Sequence, residues 1–137
     1  MNDLRKGQVQ KVPCLKRIRP VPLNAKQPMM DAINREILLG FWKVHILHHA
    51  GEMPVHGQWV LTELRRHGYD LSPGTLYPLL NRMAQLGWLD CKVDPDGGRR
   101  ARKDYRLTPE GRKVLGIIRS QLQELYNEVI LEPGKNR

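Results

Sequence analysis

Hydrogen-bonding and cationic side chains are concentrated in the segment from Ser72 to Arg82, SPGTLYPLLNR. Ser72 can accept a backbone N–H at the start of a helix, and Pro73 suits the first helical position, whose N–H has no helical partner. Six residues of the segment lie away from its apolar side: Ser72, Thr75, Tyr77, Pro78, Asn81 and Arg82. Hydroxyl, amide and guanidinium groups on one helix face can contact base edges and phosphates, so we expect this face to bind a DNA groove.

The opposite side of the same helix is apolar. Its stripe recurs at intervals of four and three residues, as Leu76, Leu80, Met83 and Leu86. That spacing predicts one buried helix face, and Gly87 is expected to end the helix. Pro78 lies beyond the first turn, where it removes one hydrogen bond. Either the helix axis bends there, or the first turn is irregular and the regular helix begins near Tyr77.

A second group of cations follows a turn-rich stretch. Strands are predicted at residues 88–93 and 102–107, and the residues between them include Pro95, Gly97 and Gly98. The basic residues of this hairpin are Arg99, Arg100, Arg102 and Lys103. They could be a solvated surface that confers only solubility, or a wing that binds phosphates or enters the minor groove. We favour the wing, because adjacent arginines follow a Gly-Gly turn beside a capped helix.

Two further helices are predicted upstream. The first covers residues 31–50 and ends at Gly51, with a buried stripe of Ile33, Ile37, Phe41, Val44 and Leu47. The second covers residues 54–67 and stops at Gly68, with Val60, Leu61 and Leu64 inward. Three helices followed by a basic hairpin are the order of a winged helix-turn-helix. The predicted fold class is therefore mainly α with a small β-hairpin.

A long helix is predicted to close the chain, over residues 109–132. Thr108 can cap it, and Pro109 suits its first position. Its apolar residues recur at alternating intervals of three and four, as Leu115, Ile118, Leu122, Leu125 and Val129. The helix could pack only on its own domain, but the stripe is coiled-coil-like and is widened by neighbouring apolar residues. We therefore predict pairing with the same helix of a second subunit.

Three motifs carry a resemblance to a known family. SPGTLYPLLNRM, then GWL, then YRLTPEGRKVL resemble the PadR (phenolic acid decarboxylase repressor) family of bacterial transcription regulators, over residues 37–130. The resemblance implies a cytoplasmic, homodimeric repressor that binds a palindromic operator. It also implies a small aromatic effector as a candidate partner, because some members bind planar aromatics at the dimer interface beside a tryptophan of the last helix. Here that helix offers only Tyr126 as an aromatic.

Composition supports a polyanionic partner. The 137 residues hold 23 Lys and Arg against 14 Asp and Glu, a net charge of +9. The predicted domains are a basic, proline-containing arm at residues 1–30, a DNA-binding domain at 31–108, a dimerisation helix at 109–132 and a tail at 133–137. The arm is either a solvated tail or an extended segment that follows DNA. No apolar run is long enough for a membrane span, so no membrane partner is expected.

The remaining polar residues indicate little chemistry. His45 and His49 have spacing that suits a metal, but no carboxylate or cysteine completes the set locally, so surface or partly packed histidines and no cofactor are expected. The three tryptophans could line an effector pocket, although core packing is the commoner fate. No nucleophile with a matching base is recognisable, so we do not expect an enzyme. A basic module that binds nucleic acid or protein without strong sequence preference remains the alternative function.

Overall fold

The computed structural model describes residues 26–132 and Gly134, and the described residues are mostly helical with one small sheet. The helices are α1 Lys26–Ile33, α2 Leu39–Glu52, α3 Gly57–Arg66, α4 Pro73–Gln85 and α5 Pro109–Tyr126. The strands are β1 Val55–His56, β2 Leu89–Val93 and β3 Lys103–Leu107. Two π-helical segments, Asn34–Leu38 and Asn127–Leu131, continue α1 into α2 and extend α5. The predicted fold class, mainly α with a winged hairpin, is confirmed.

The first helical run begins earlier than predicted. α1 starts at Lys26, so residues 26–30 are helical although they were assigned to the extended arm. Pro28 is tolerated because it lies in the first turn, where backbone N–H groups have no helical partners. Gln27 Nε2 also donates to Asp31 Oδ1 at 2.9 Å within this run. The rest of the predicted arm, residues 1–25, lies outside the described residues.

The buried face of this run also differs from the predicted stripe. Ile37 and Phe41 are exposed, with Ile37 at 55% of its surface, and Val44 is only half-buried. The residues that α2 buries are Trp42, Ile46, Leu47 and Ala50. A π-helical segment holds more residues per turn than an α-helix, so a stripe extended at the α-helical period across 34–38 loses its phase. Trp42 is in the core, in agreement with the expectation that tryptophans more often pack in the core.

The predicted second helix is replaced at its start by a strand. Val55 and His56 pair with Tyr105 and Asp104 of β3, and α3 begins only at Gly57. His56 caps α3, because its Nδ1 accepts from the Trp59 backbone N–H at 3.3 Å. A strand of two residues is too short to leave a periodic pattern, which explains the error. The predicted inward residues of this helix, Val60, Leu61 and Leu64, are all buried.

The three strands form one antiparallel sheet with β3 in the centre, in the order β1-β3-β2. In the hairpin, Leu89 pairs with Leu107, and Cys91 pairs with Tyr105. The predicted hairpin thus gains a third strand from the segment before α3. Gly51 does not end α2 as predicted. A Cβ at Gly51 would lie 3.0 Å from Leu107 Cδ2, so the glycine allows the helix to approach the sheet closely.

The core lies between α2, α3, α4 and the sheet. On α4, the predicted residues Leu76, Leu80 and Met83 are fully buried, and Leu79 joins them. Leu86 is not buried as predicted but is 40% exposed. It stands beyond the last residue of α4 and precedes Gly87, whose φ of 79° turns the chain away from the stripe.

The start of α5 is anchored to this core. Thr108 caps the helix as predicted, with Oγ1 accepting from the Gly111 backbone N–H at 2.9 Å. Leu115 is only 4% exposed and packs in the core of its own domain. The prediction that Leu115 lies in the subunit interface is therefore wrong. Leu115 packs inside its own domain because the first three turns of α5 lie against the domain core. Farther along, Ile118 is half-buried, whereas Leu122, Leu125 and Val129 are exposed.

Candidate nucleic-acid interface

The outer face of α4 presents most of the side chains that the sequence singled out. Ser72, Tyr77, Pro78, Asn81 and Arg82 are exposed, while Thr75 is half-buried. α4 runs without interruption through Pro78, so the regular helix does not begin at Tyr77. Its apolar stripe faces the core, which turns most of the polar face outward.

The first turn of α4 is organised differently from the prediction. Ser72 has the extended backbone of a capping residue, and its carbonyl accepts from the N–H groups of Thr75 and Leu76 at 3.1 and 3.0 Å. Its hydroxyl, however, lies 3.3 Å from the Thr75 hydroxyl instead of capping a backbone N–H. The Ser72 hydroxyl is therefore not used as a cap and stays on the exposed surface, where it can donate to a phosphate oxygen.

Tyr77 connects α4 to the start of α3. A Cβ at Gly57 would lie 3.0 Å from Tyr77 Cζ, so the aromatic ring occupies the space that any larger residue at 57 would need. Tyr77 nevertheless remains 48% exposed. The tyrosine is thus held against α3 while presenting an edge to the outside. Sequence reasoning missed Gly57 as a contributor, since a glycine at a helix start gives no sign of what approaches it.

The hairpin places its cations at the tip and along β3. Arg99 and Arg100 lie in a 3-10 turn, Gly98–Arg100, and both are exposed. Asp94 organises the tip, because its Oδ1 accepts from the Asp96 N–H at 3.0 Å. Arg102 is partly neutralised by an ion pair from its Nε to Asp104 Oδ1 at 2.8 Å.

The other wing cations keep their charge available. Within residues 26–132, Arg99, Arg100 and Lys103 form no ion pair, so three of the four predicted wing residues present unpaired positive charge. Unpaired cations on an exposed hairpin can release counterions when they meet phosphates. Arg102 keeps 62% of its side chain exposed but would have to leave Asp104 to do the same.

One cleft joins the hairpin to α4. It measures about 440 Å³ and is lined by residues that include His56, Tyr77, Arg100, Arg102, Lys103 and Tyr105. At its base, burial and the neighbouring Cys91 raise the pKa of Tyr105 to about 12, which keeps its phenol neutral. A cleft with cationic side chains around a neutral, buried tyrosine is suited to binding the anionic DNA backbone. Of the predicted residues, the cleft brings together Tyr77 of α4 and Arg100, Arg102 and Lys103 of the hairpin, whereas Ser72 and Thr75 line a separate cleft beside Arg35 and Trp42.

A second face of the molecule is apolar. Along α5 and its extension the exposed residues are Ile117, Leu122, Leu125, Tyr126, Val129, Ile130 and Leu131. Ile37 and Phe41 are exposed on the first helical run, where the sequence predicted them in the core. Together these residues leave far more apolar surface than scattered single exposures would.

Histidines gather between α2 and the end of α3. Ligand nitrogens of His45, His49 and His67 all lie within 4.8 Å of one another. Glu63 Oε1 lies 3.3 Å from His67 Nε2 and 3.9 Å from His49 Nε2. The sequence showed only the His45–His49 pair, because His67 and Glu63 reach it through the packing of α3 on α2. These residues are close enough together to hold a metal ion.

Known proteins resemble this chain along most of its length. Residues 46–117 match the family described as the transcriptional regulator PadR-like family. A transcriptional regulator of Mycobacterium tuberculosis, Rv3488, is 48% identical over 96 residues, which cover 70% of this chain and 89% of that protein. A PadR family regulator from Eggerthella lenta has a TM-score of 0.65 at 31% identity, covering 81% of this chain and 99% of that one. A PadR-like regulator from Bacillus cereus has a TM-score of 0.63 at 26% identity, covering 73% and 99%.

These likenesses agree with the motifs and with the winged helix-turn-helix arrangement of α3, α4 and the hairpin. Among the described residues, no helix combines the length and apolarity needed to cross a membrane. The match of the family to more than half of the chain, with a relative at 48% identity, settles the assignment. The chain belongs to the PadR-like family of transcriptional regulators, and it is a DNA-binding regulator, not an enzyme.

Proposed function

We propose that the chain is a homodimeric repressor of a palindromic operator. α4 serves as the recognition helix in the major groove, and the β2–β3 hairpin serves as a wing on the adjacent backbone. The observation that carries this proposal is the single cleft bounded by Tyr77 from α4 and by Arg100 and Lys103 from the hairpin. A protein that binds one duplex specifically needs its base-reading and phosphate-binding groups on one continuous surface.

The two elements divide the binding between them. On α4, the polar groups of Thr75, Tyr77 and Asn81 read base edges, and an Asn amide can pair with adenine through two hydrogen bonds. Ser72 and Arg82 bind the flanking phosphates, and Pro78 shapes the helix surface between them. On the wing, Arg99, Arg100 and Lys103 bind phosphates or enter the minor groove, with Arg102 joining if its ion pair opens.

The apolar strip of α5 supplies the dimer interface. Ile118, Leu122, Leu125 and Val129 follow the three-four spacing of a helical seam, and the last three are exposed in the single chain. A helix that pairs with its own copy gives a two-fold interface, and a two-fold protein matches a palindromic site. Ile37 and Phe41 of the first helical run are also exposed, and we propose that they add apolar contact area in the dimer.

Repression follows if the dimer occupies DNA that the transcription machinery needs, and such a protein works in the bacterial cytoplasm, where the DNA lies. We also propose a small planar aromatic effector at the dimer interface. Tyr126 supports it, because its ring is half exposed within the apolar strip and can stack on an aromatic ligand. Residues 1–25 of the basic arm, which lie outside the described residues, are proposed to follow the DNA backbone beyond the wing.

Selection of bound duplexes from a random DNA pool, with the full chain, tests this function. We expect an enriched inverted repeat whose half-sites are about 10 base pairs apart centre to centre, or a multiple of it. Sedimentation of the complex should give two chains per duplex. A variant with Thr75→Ala and Asn81→Ala should bind but enrich no sequence. If the unaltered chain enriches nothing, it is a basic module without sequence preference and the proposal is wrong.

A further inference from the structure

None of the clustered histidines, His45, His49 and His67, lines the cleft between α4 and the hairpin. His45 and His49 stand one turn apart on α2, and His67 is the residue directly after α3. The ring centroids of His45 and His67 are 5.0 Å apart, and those of His45 and His49 are 6.3 Å apart. Three imidazoles from two elements therefore converge on one small space.

We propose that His45, His49 and His67 bind one divalent transition-metal ion of borderline softness, such as Zn²⁺, Co²⁺ or Ni²⁺. Imidazole nitrogen is a preferred ligand of these ions, and tetrahedral zinc with nitrogens at about 2.0–2.1 Å sets them about 3.4 Å apart. The three nitrogens are already within 4.8 Å of one another. Small side-chain rotations are enough to close that difference.

Glu63 supplies the charge that the three neutral ligands lack. Its Oε1 lies 3.3 Å from His67 Nε2, so the carboxylate faces the same space as the histidines. It is held there by Arg66, whose Nη2 donates to Oε1 at 2.6 Å. A carboxylate beside metal-bound histidines either completes the coordination or fixes the ring orientation, and both strengthen binding.

A neighbouring side chain orients the ring of His45. Its Nε2 lies 3.3 Å from Tyr69 Oη, which fixes one side of the ring.

A second group, His48, His49 and Glu52, shares one histidine with the proposed site. It is the weaker candidate, because the side chains of His48 and Glu52 are 43% and 59% exposed and all three residues come from one helix. His48 therefore provides a matched control on the same helix. A bound ion at the proposed site would instead join α2 to the turn that leads from His67 into α4.

Titration of chelator-treated, untagged full chain with Co²⁺ tests the site, because tetrahedral Co²⁺ has visible absorption bands. We expect one equivalent to give such bands, Zn²⁺ to displace it, and Zn²⁺ to raise the melting temperature. His67→Gln, at an exposed position, should weaken Zn²⁺ binding at least about 100-fold, since even outer-shell partners cost about 10- to 100-fold. His48→Gln should keep both responses. No tetrahedral bands with the unaltered chain, bands that survive in His67→Gln, or bands that His48→Gln abolishes would each overturn the proposal.

Discussion

The ring of Tyr77 fills the space in front of the Gly57 backbone, so that a Cβ at position 57 would lie 3.0 Å from Tyr77 Cζ. The contact joins the first residue of α3 to the outer face of α4. It sets how the exposed edge of Tyr77 is presented. A residue without a side chain thus controls the position of a proposed DNA contact.

Gly57→Ala should therefore displace Tyr77. We expect affinity for the selected operator to fall by about tenfold or more, together with a loss of about 1–3 kcal/mol in the free energy of unfolding, as overpacking produces. Gly40→Ala is the control, because a Cβ at Gly40 meets nothing within 4 Å. In a Tyr77→Ala background the substitution at 57 should have little further effect. A full effect in that background would contradict the steric explanation.

Arg99→Ala with Arg100→Ala should weaken binding to every duplex, operator or not. The slope of log affinity against log salt concentration is negative, and each lost phosphate contact reduces its magnitude by about 0.9. The double variant should therefore have a slope shallower by about 2. Affinity measured at several salt concentrations gives the slope. Arg112→Ala with Lys113→Ala, at exposed positions of α5 that do not line the cleft, is the matched loss of two charges. An unchanged slope would place the hairpin tip off the DNA backbone.

Leu122→Asp should break the proposed dimer. Leu122 is 38% exposed in the single chain, so the charge is tolerated by the monomer but would be buried unpaired between two copies of α5. Sedimentation should show a dimer for the unaltered chain and a dissociation constant raised by more than about tenfold for the variant. Gln121→Asp adds the same charge at the adjacent exposed position and should leave the dimer intact. Equal behaviour of the two variants would remove this seam from the interface.

Thr108→Val should lower the free energy of unfolding by about 1–2 kcal/mol, because it removes a helix cap. The Thr108 hydroxyl accepts from the Gly111 N–H at 2.9 Å and donates to the Gly87 carbonyl at 2.5 Å. Thr108→Ser keeps both hydrogen bonds and should retain most of the stability. Urea unfolding of the three proteins gives the comparison. A loss in the serine variant equal to that in the valine variant would assign the effect to packing of the methyl group.

Ionisation of the Tyr105 phenol should lower the free energy of unfolding at high pH. Burial, followed by Cys91, raises its pKa to about 12 in the folded chain, against about 10 for a free tyrosine. The neutral phenol's contribution is thus fully present below about pH 10 and is lost as the pH rises through about 12. Tyr105→Phe should flatten the decline in unfolding free energy over that window. Tyr126→Phe, on the exposed strip, is the control, and identical alkaline profiles for the two variants would refute this role.

The motif around α4 was predictable because local signals agreed. A capping position, a proline at the first turn, an apolar stripe and a terminal glycine all indicated the same helix, and Leu76, Leu80 and Met83 are buried accordingly. The cationic hairpin was found for similar reasons, since turn residues and charge occur together in the sequence.

The predictions from sequence were wrong where tertiary contacts determine the local structure. β1 exists only because Val55 and His56 pair with β3, a partner about 50 residues away that no local pattern can show. The buried face of α2 depends on the π-helical segment before it, which changes the helical phase. The histidine cluster was incomplete in sequence because His67 reaches His45 only through the packing of α3 on α2.

Hydrogen bonds between the residues that follow α4 and the start of α5 hold the two helices in a fixed relative position. Thr108 ties the start of α5 to Gly87, and its N–H donates to the Trp88 carbonyl at 3.1 Å, so the end of α4 is fixed to the start of α5. At 1.5 Å per residue the 18 residues of α5 are about 27 Å long, so tilting α5 by about 10° about its far end moves its start, and the domain fixed to it, by about 5 Å. In the proposed dimer, a ligand that changes how the two copies of α5 cross would alter the separation of the two recognition helices. The operator spacing that the protein accepts would then depend on how the two copies of α5 cross, far from any base pair.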